Sequence, residues 1–286
     1  MKRVLILTDS TADLSSKIRE ERNIYSLPLY VQFGDDQYRD GVDLTTRELY
    51  DIVDERKELP KTASISPNQF ISFFTQYLDE GYEIVYTGIG SKISGTFQAA
   101  MIAKETVNSK DIYLIDSNNL SSGIGLLVLK ACDMRDQGLS ANMIKTELEG
   151  IVPRIRSQFV IKTLDYLHKG GRASGTTKLL SSMFGIKPII QVRSGKLIVY
   201  RKPIGKVTRA LDVMLKDFYR AYHQQNVDLD YIMITHSLAD KQASYMFEDL
   251  KTNVQAKSIL ENHAGCVISS HCGPGTIGIL YILRSI

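Results

Sequence analysis

The chain has 286 residues, with 35 Lys and Arg against 32 Asp and Glu, a formal net charge of +3, and 43% hydrophobic residues. This length and balance exclude a peptide scaffold and a disordered chain and leave one large core or two ordinary domains. A net charge of +3 is too small to mark a general nucleic-acid binder, and an odd set of cysteines (Cys132, Cys266, Cys272) points away from a disulfide framework to a reducing compartment.

The opening MKRVLILTDS breaks off at Asp9, too early for a signal-peptide core. No run approaches the roughly 18 apolar residues of a membrane span, so a cytoplasmic location is expected. Val4–Thr8 is rich in branched apolar residues and predicts a buried strand, followed by a helix over Leu14–Glu21. Ile84–Ile89 predicts a second strand, then the loop Gly88–Thr96 and a helix. Asp111–Asp116 predicts a third, then the apolar helix Ile124–Arg135. Strand, loop and helix in repetition imply a parallel α/β sheet, with ligands expected beyond the carboxyl ends of its strands.

The second half has a different pattern. Phe159–Leu164 and Lys187–Val192 predict strands, and Val192–Tyr200 predicts a hairpin turning at Ser194-Gly195. A helix is expected over Val207–Tyr222, strands over Tyr231–His236 and Gly265–His271, and a helix over Ala239–Lys251 between them. An apolar run, Thr276–Leu283, closes the sequence. This is an α+β pattern, and the change near Val152-Pro153 divides the chain into expected domains 1–152 and 153–286.

Charge divides there as well. Residues 1–152 hold 16 basic and 23 acidic residues, whereas residues 153–206 hold 12 basic residues and one acidic residue, Asp165. A segment at +11 is either a docking face for an acidic partner, a phosphate or an anionic membrane, or a solvated edge.

Nucleotide-binding P-loops, a GxGxxG turn and a GxSxG elbow are absent from the sequence. Four polar clusters remain. Gly88–Thr96 (GIGSKISGT) joins glycines to Ser94 and Thr96 at a helix start, an anion-site pattern or an ordinary capped loop. In Lys61–Pro67 (KTASISP), Ser66-Pro67 predicts a helix start that leaves Thr62 and Ser64 free to face a cleft. Asp165–Ser174 predicts an exposed, tightly turned loop carrying Lys169 and Arg172, or a basic turn. His271–Gly275 (HCGPG) places an imidazole at a strand end, fit to hydrogen-bond a carboxylate or to be structural. A zinc site from His263, Cys266, His271 and Cys272 is disfavoured, because strand alternation turns Cys272 away from His271. A hydrolytic triad of Ser94, His271 and an Asp lacks a nucleophile elbow.

Seven segments in order resemble DegV-family fatty-acid-binding proteins: Asp9–Leu14 (DSTADL), Lys61-Thr62 with Ser66-Pro67, Ile93–Ala99 (ISGTFQA), Asp116-Ser117, Leu167–Arg172 (LHKGGR), Lys187-Pro188 and His271–Gly275. The likeness spans about residues 9–278. It implies an α/β protein of two domains, an N-terminal parallel-sheet domain of EDD type and a C-terminal α+β domain, with one long-chain fatty acid held between them. It further implies a carrier subunit, without catalysis or cofactor of its own, that presents the acyl carboxylate to a separate ATP-dependent fatty acid kinase. On this resemblance the carboxylate falls to Thr62, Ser94 and the Gly95 backbone, with His271 nearby. Arg172, Arg201 and Lys202 are the expected contacts to the kinase, its phosphates or a membrane. The sequence departs from the family pattern at Ala63, Ser64 and Ile65, where many members carry Ser, Gln and Pro, while Thr62, Ser66 and Pro67 keep their register.

A carboxylate in an apolar tunnel must be hydrogen-bonded, and the tail supplies about 0.8 kcal/mol per buried CH₂. The apolar runs Leu179–Ile190, Ile124–Leu129 and Ile277–Leu283 are candidates to line such a tunnel. Two other readings stay open: a serine hydrolase using Ser94 and His271, and a nucleotide- or phosphosugar-binding module using the same anion loop.

Overall fold

The structure is a computed structural model that describes residues 2–172 and 185–285. The branched run at the N-terminus forms β1 (Arg3–Asp9), whose last five residues are buried. After a short 3-10 turn come α1 (Ser16–Glu21) and β2 (Ile24–Leu27), then β3 (Tyr30–Phe33), β4 (Asp36–Arg39), α2 (Thr46–Arg56) and β5 (Lys61–Ala63). The helix α3 (Pro67–Asp79) begins where Ser66-Pro67 predicts it. Ser66 and Gln69 cap each other reciprocally, and Pro67 fills the first turn. Then follow β6 (Tyr82–Gly88), α4 (Thr96–Val107), β7 (Ile112–Asp116), α5 (Ser122–Asp136) and α6 (Ala141–Ile151). The strands β2-β1-β6-β7 form a parallel sheet, and β4-β3-β5 form a small antiparallel one.

The C-terminal part has β8 (Ile155–Val160), α7 (Asp165–Lys169), β9 (Ile189–Arg193), β10 (Lys196–Arg201), α8 (Val207–His223), β11 (Val227–Ser237), α9 (Asp240–Asn253), β12 (Ser258–His263), α10 (Cys266–Cys272) and β13 (Thr276–Leu283). Its sheet runs β10-β9-β8-β13-β11-β12, antiparallel except for the parallel pair β11/β12. The hairpin turns at Ser194 and Gly195, which take φ of 46° and 75°; two successive positive values match the right-handed twist of the strands.

The helix α5 is buried on all sides over Ser122–Cys132 because it lies between the two sheets. Leu126 and Val128 share one core with Ile6 and Val85 of the first sheet and with Met233 and Leu280 of the second.

Three expectations change. Gly265–His271 is not a strand: α10 occupies Cys266–Cys272, and Gly265 is its N-cap. The β-branched run CVIS favours a strand locally, and packing against the N-terminal part overrides it. The alternation argument about Cys272 falls with the strand. The strand expected at Phe159–Leu164 starts and ends earlier, as β8. The loop expected over Asp165–Ser174 is helical as α7 up to Lys169 and then turns at Gly170 and Gly171; Ser174 lies outside the described residues, as do positions 179–184 of the apolar run Leu179–Ile190.

Candidate functional site: a chamber between the two parts

The chamber that matters lies beyond the carboxyl end of β6, between the N-terminal part and the second sheet. It holds about 900 Å³ counted out to its open mouth, and its walls include Thr62, Ser64, Ile93, Ser94, Phe159, Leu167, Arg172, Val267 and His271. The exposed area of the wall is mostly apolar; the Thr62, Ser64 and Ser94 hydroxyls and the His271 imidazole gather at one place, and Ser121, Gln158, Thr235, His236, Ser237 and Thr276 add polar groups elsewhere on the wall.

Three segments bring that polar group together. Thr62 sits on β5, paired with Val31 of β3, so it stands on a strand rather than in a loop. Ser94 ends the loop after β6, one residue before Gly95, the N-cap of α4. His271 lies in the last turn of α10. Thr62 Oγ1 and His271 Nε2 are 2.8 Å apart. Ser94 Oγ lies 3.0 Å from Thr96 Oγ1 and 3.3 Å from Ser64 Oγ. A Cβ on Gly95 would stand 3.6 Å from Ser64 Oγ, so the Gly95 backbone faces the same cluster.

Burial, and then the positive charge of Arg172, push the His271 pKa down to about 4. The ring is therefore neutral near pH 7, with a single proton to share. Its Nδ1 is buried without a hydrogen-bond partner. With the proton on Nε2, the ring donates to Thr62 Oγ1 and frees the Thr62 hydroxyl proton to point into the chamber. Gly170 makes the close approach possible, since a Cβ there would fall 2.1 Å from Nδ1. The Arg172 side chain is exposed at the mouth and donates to the carbonyls of Gly170 (2.6 Å) and Ile93 (3.4 Å), bridging the two parts.

Arg201 and Lys202 are not part of the chamber wall. Arg201 reaches Asp217 at 3.6 Å on α8 and lies over Tyr200. Elsewhere in the basic segment, Arg154 donates to the Leu283 carbonyl at the end of β13, and Arg156 to the carbonyls of Pro153 and Ile155. Of the candidate tunnel runs, Ile124–Leu129 belongs to the core around α5, while Gly278 and Leu280 of β13 do line the chamber.

A hydrolytic triad is not assembled among the described residues: His271 Nε2 bonds Thr62, Ser94 bonds Thr96 and Ser64, and His271 Nδ1 meets no carboxylate there. Metal ligation does not fit either. Among the described residues, the one group of His, Cys, Asp or Glu close enough to share an ion is His236, Glu261 and His263, which shares only His263 with the expected four. There the Ala239 N–H donates to His236 Nδ1 at 3.1 Å, which puts the proton of the neutral ring on Nε2, the atom that would ligate.

Among the described residues no helix is long and apolar enough to cross a membrane. Residues 3–284 match the family model described as uncharacterised protein, DegV family. A DegV domain-containing protein of Clostridium acetobutylicum is 35% identical over 284 residues, 99% of either chain. A fatty acid binding DegV family protein from Thermus thermophilus superposes with a TM-score of 0.91 at 27% identity, over 99% of this chain and all of that one. A stearic acid-binding protein from Eubacterium ventriosum superposes with a TM-score of 0.85 at 25% identity, over 99% and 98% of the two chains.

Proposed function

The chain belongs to the DegV family, and from that premise we propose that it binds one long-chain fatty acid in the chamber between domains 1–152 and 153–286. The observation that carries the proposal is a chamber in which an apolar wall meets Thr62, Ser94 and a neutral His271. The Thr62 and Ser94 hydroxyls and the Gly95 backbone hydrogen-bond the carboxylate, and His271 holds the Thr62 hydroxyl in its donating orientation. Hydroxyls and amides suffice to offset the cost of burying the head group. A tail of sixteen carbons contributes on the order of 10 kcal/mol before the cost of association, so the tail sets affinity and the head group sets orientation.

A neutral imidazole engaged with Thr62 leaves the carboxylate unprotonated and nucleophilic. Presented at the mouth beside Arg172, one carboxylate oxygen attacks the γ-phosphorus of ATP held by a partner kinase. The P–O bond to ADP breaks, and acyl-phosphate forms. This chain supplies the carrier, and the partner supplies the catalysis, in the cytoplasm. Arg172, with Arg201 and Lys202 on the same basic segment, meets the kinase or a membrane surface. The aliphatic and aromatic stretch of the wall suits an acyl tail better than a phosphosugar.

Native mass spectrometry of the purified protein tests the ligand: a fatty acid mass released on denaturation is expected. No copurified lipid, together with no binding of palmitate to delipidated protein, overturns the proposal. Full palmitate affinity in a Thr62→Ala, Ser94→Ala variant overturns the site.

A further inference from the structure

The helix α10 has little reason to be helical by itself. Its seven residues, CVISSHC, are all middling or weak helix formers, and it is far shorter than the roughly 12–15 residues an isolated helix needs. It has no side-chain cap of its own. Its first turn is instead held by carboxylates from the other end of the sequence. Asp13 Oδ1 accepts the Gly265 N–H at 2.8 Å, and Asp40 Oδ1 accepts the Cys266 N–H at 2.7 Å. The far end of the same helix carries His271 against Thr62.

Both acids are buried, at 6% and 3% exposure, and Asp13 is itself fixed by the Ser121 hydroxyl. The helix between them is seated in the N-terminal core: Cys266 and Val267 pack with Leu29, Val31, Phe33 and Leu44. Fit at the first turn is tight. A Cβ on Gly265 would lie 3.0 Å from Asp40 Oδ1 and 3.2 Å from Asp13 Oδ1, at an ordinary φ of −66°.

We propose that Asp13 and Asp40 are positioning residues for the carboxylate site: by capping the first turn of α10 from the N-terminal part, they set His271 against Thr62. Neither acid touches the ligand. They act through one helix fastened to the N-terminal part at both ends, which makes the ligand site depend on how the two parts meet. The lipid readout of this proposal rests on the function proposed above, whereas its spectroscopic readout does not.

The test uses ligand-free, full-length protein and five variants: Asp13→Ala, Asp40→Ala, Asp40→Asn, Gly265→Ala and the double variant Asp40→Ala, Gly265→Ala. Long-range ¹H–¹⁵N spectra report the five imidazoles, with His223 as the internal reference. Asp13→Ala, Asp40→Ala and Gly265→Ala are expected to shift the His271 ring signals and leave those of His223 in place. Asp40→Asn retains an oxygen acceptor and is expected to restore the wild-type His271 signals. Loss of a buried cap, which leaves an N–H of the first turn unpaired, weakens palmitate binding by roughly ten- to a hundredfold. Gly265→Ala adds nothing in the Asp40→Ala background, because both changes release the same turn.

Unchanged His271 signals in folded Asp40→Ala and Gly265→Ala proteins overturn the proposal, as does an affinity loss without any His271 shift. Should the alanine variants at the acids fail to fold, Gly265→Ala and Asp40→Asn decide it by the same spectra. If wild-type protein binds no palmitate, the carrier reading fails while the spectra still answer the positioning question.

Discussion

Replacing His271 by Gln should remove a specific part of the protein's acid sensitivity. In the open chain the imidazole titrates near 6.5, and in the fold burial and then the Arg172 charge bring it to about 4. Between these values the unfolded chain binds the proton and the folded one excludes it. Stability therefore rises with pH across this window and is flat above it. The gap is worth about 2 kcal/mol at pH 5 and about 3 kcal/mol at pH 4, relative to pH 7. Buried Asp9, Asp13 and Asp40 are all shifted upward by burial, so they act with the opposite sign and favour the fold as pH falls. They are common to both proteins and cancel in the difference. Urea unfolding of wild type and His271→Gln at pH 7, 6, 5 and 4 measures it. Wild type is expected to lose about 2 kcal/mol more than the variant by pH 5. Parallel pH profiles, within about 0.5 kcal/mol, would refute a neutral buried imidazole.

Gly170→Ala places a methyl against the His271 ring and should weaken palmitate binding at least about tenfold while the protein stays folded; calorimetric titration checks it. Lys130 holds Asp228 and Asp230, each at 2.6 Å. Lys130→Met leaves two carboxylates facing each other. Because Asp230 is only half-buried, the expected loss is about 2 kcal/mol rather than that of a fully buried pair, read by chemical denaturation. Gly195→Ala forces φ of 75° on a residue with a Cβ and crowds Asn118 and Lys92; a cost of about 1 kcal/mol, seen as a lower Tm, is expected.

Residues close in sequence made much of this protein legible. The branched runs of β1, β6 and β7 and the Ser66-Pro67 start of α3 depend on local patterning and capping, which a linear reading captures. The order of seven short motifs sufficed to suggest the family that the whole-chain match then showed. Thr62, Ser94 and His271 were visible as polar residues in turn-rich segments, although their partners were not.

The near-neutral total of +3 hid an uneven distribution, but the sequence could not say where those charges go. Folding directs Arg172 to the chamber mouth and Arg201 to Asp217 on α8. The sharpest divergence is α10. Locally, CVISSH favours a strand, and only contact with Asp13, Asp40 and the N-terminal core makes it a helix. Asp40 gave no local signal, because its role depends on a backbone N–H 226 residues away. The sequence by itself determined the elements whose stability is local and the inventory of polar groups. Tertiary structure alone decided which of those groups meet, since hydrogen bonds across such separations exist only after the two sheets have closed around α5.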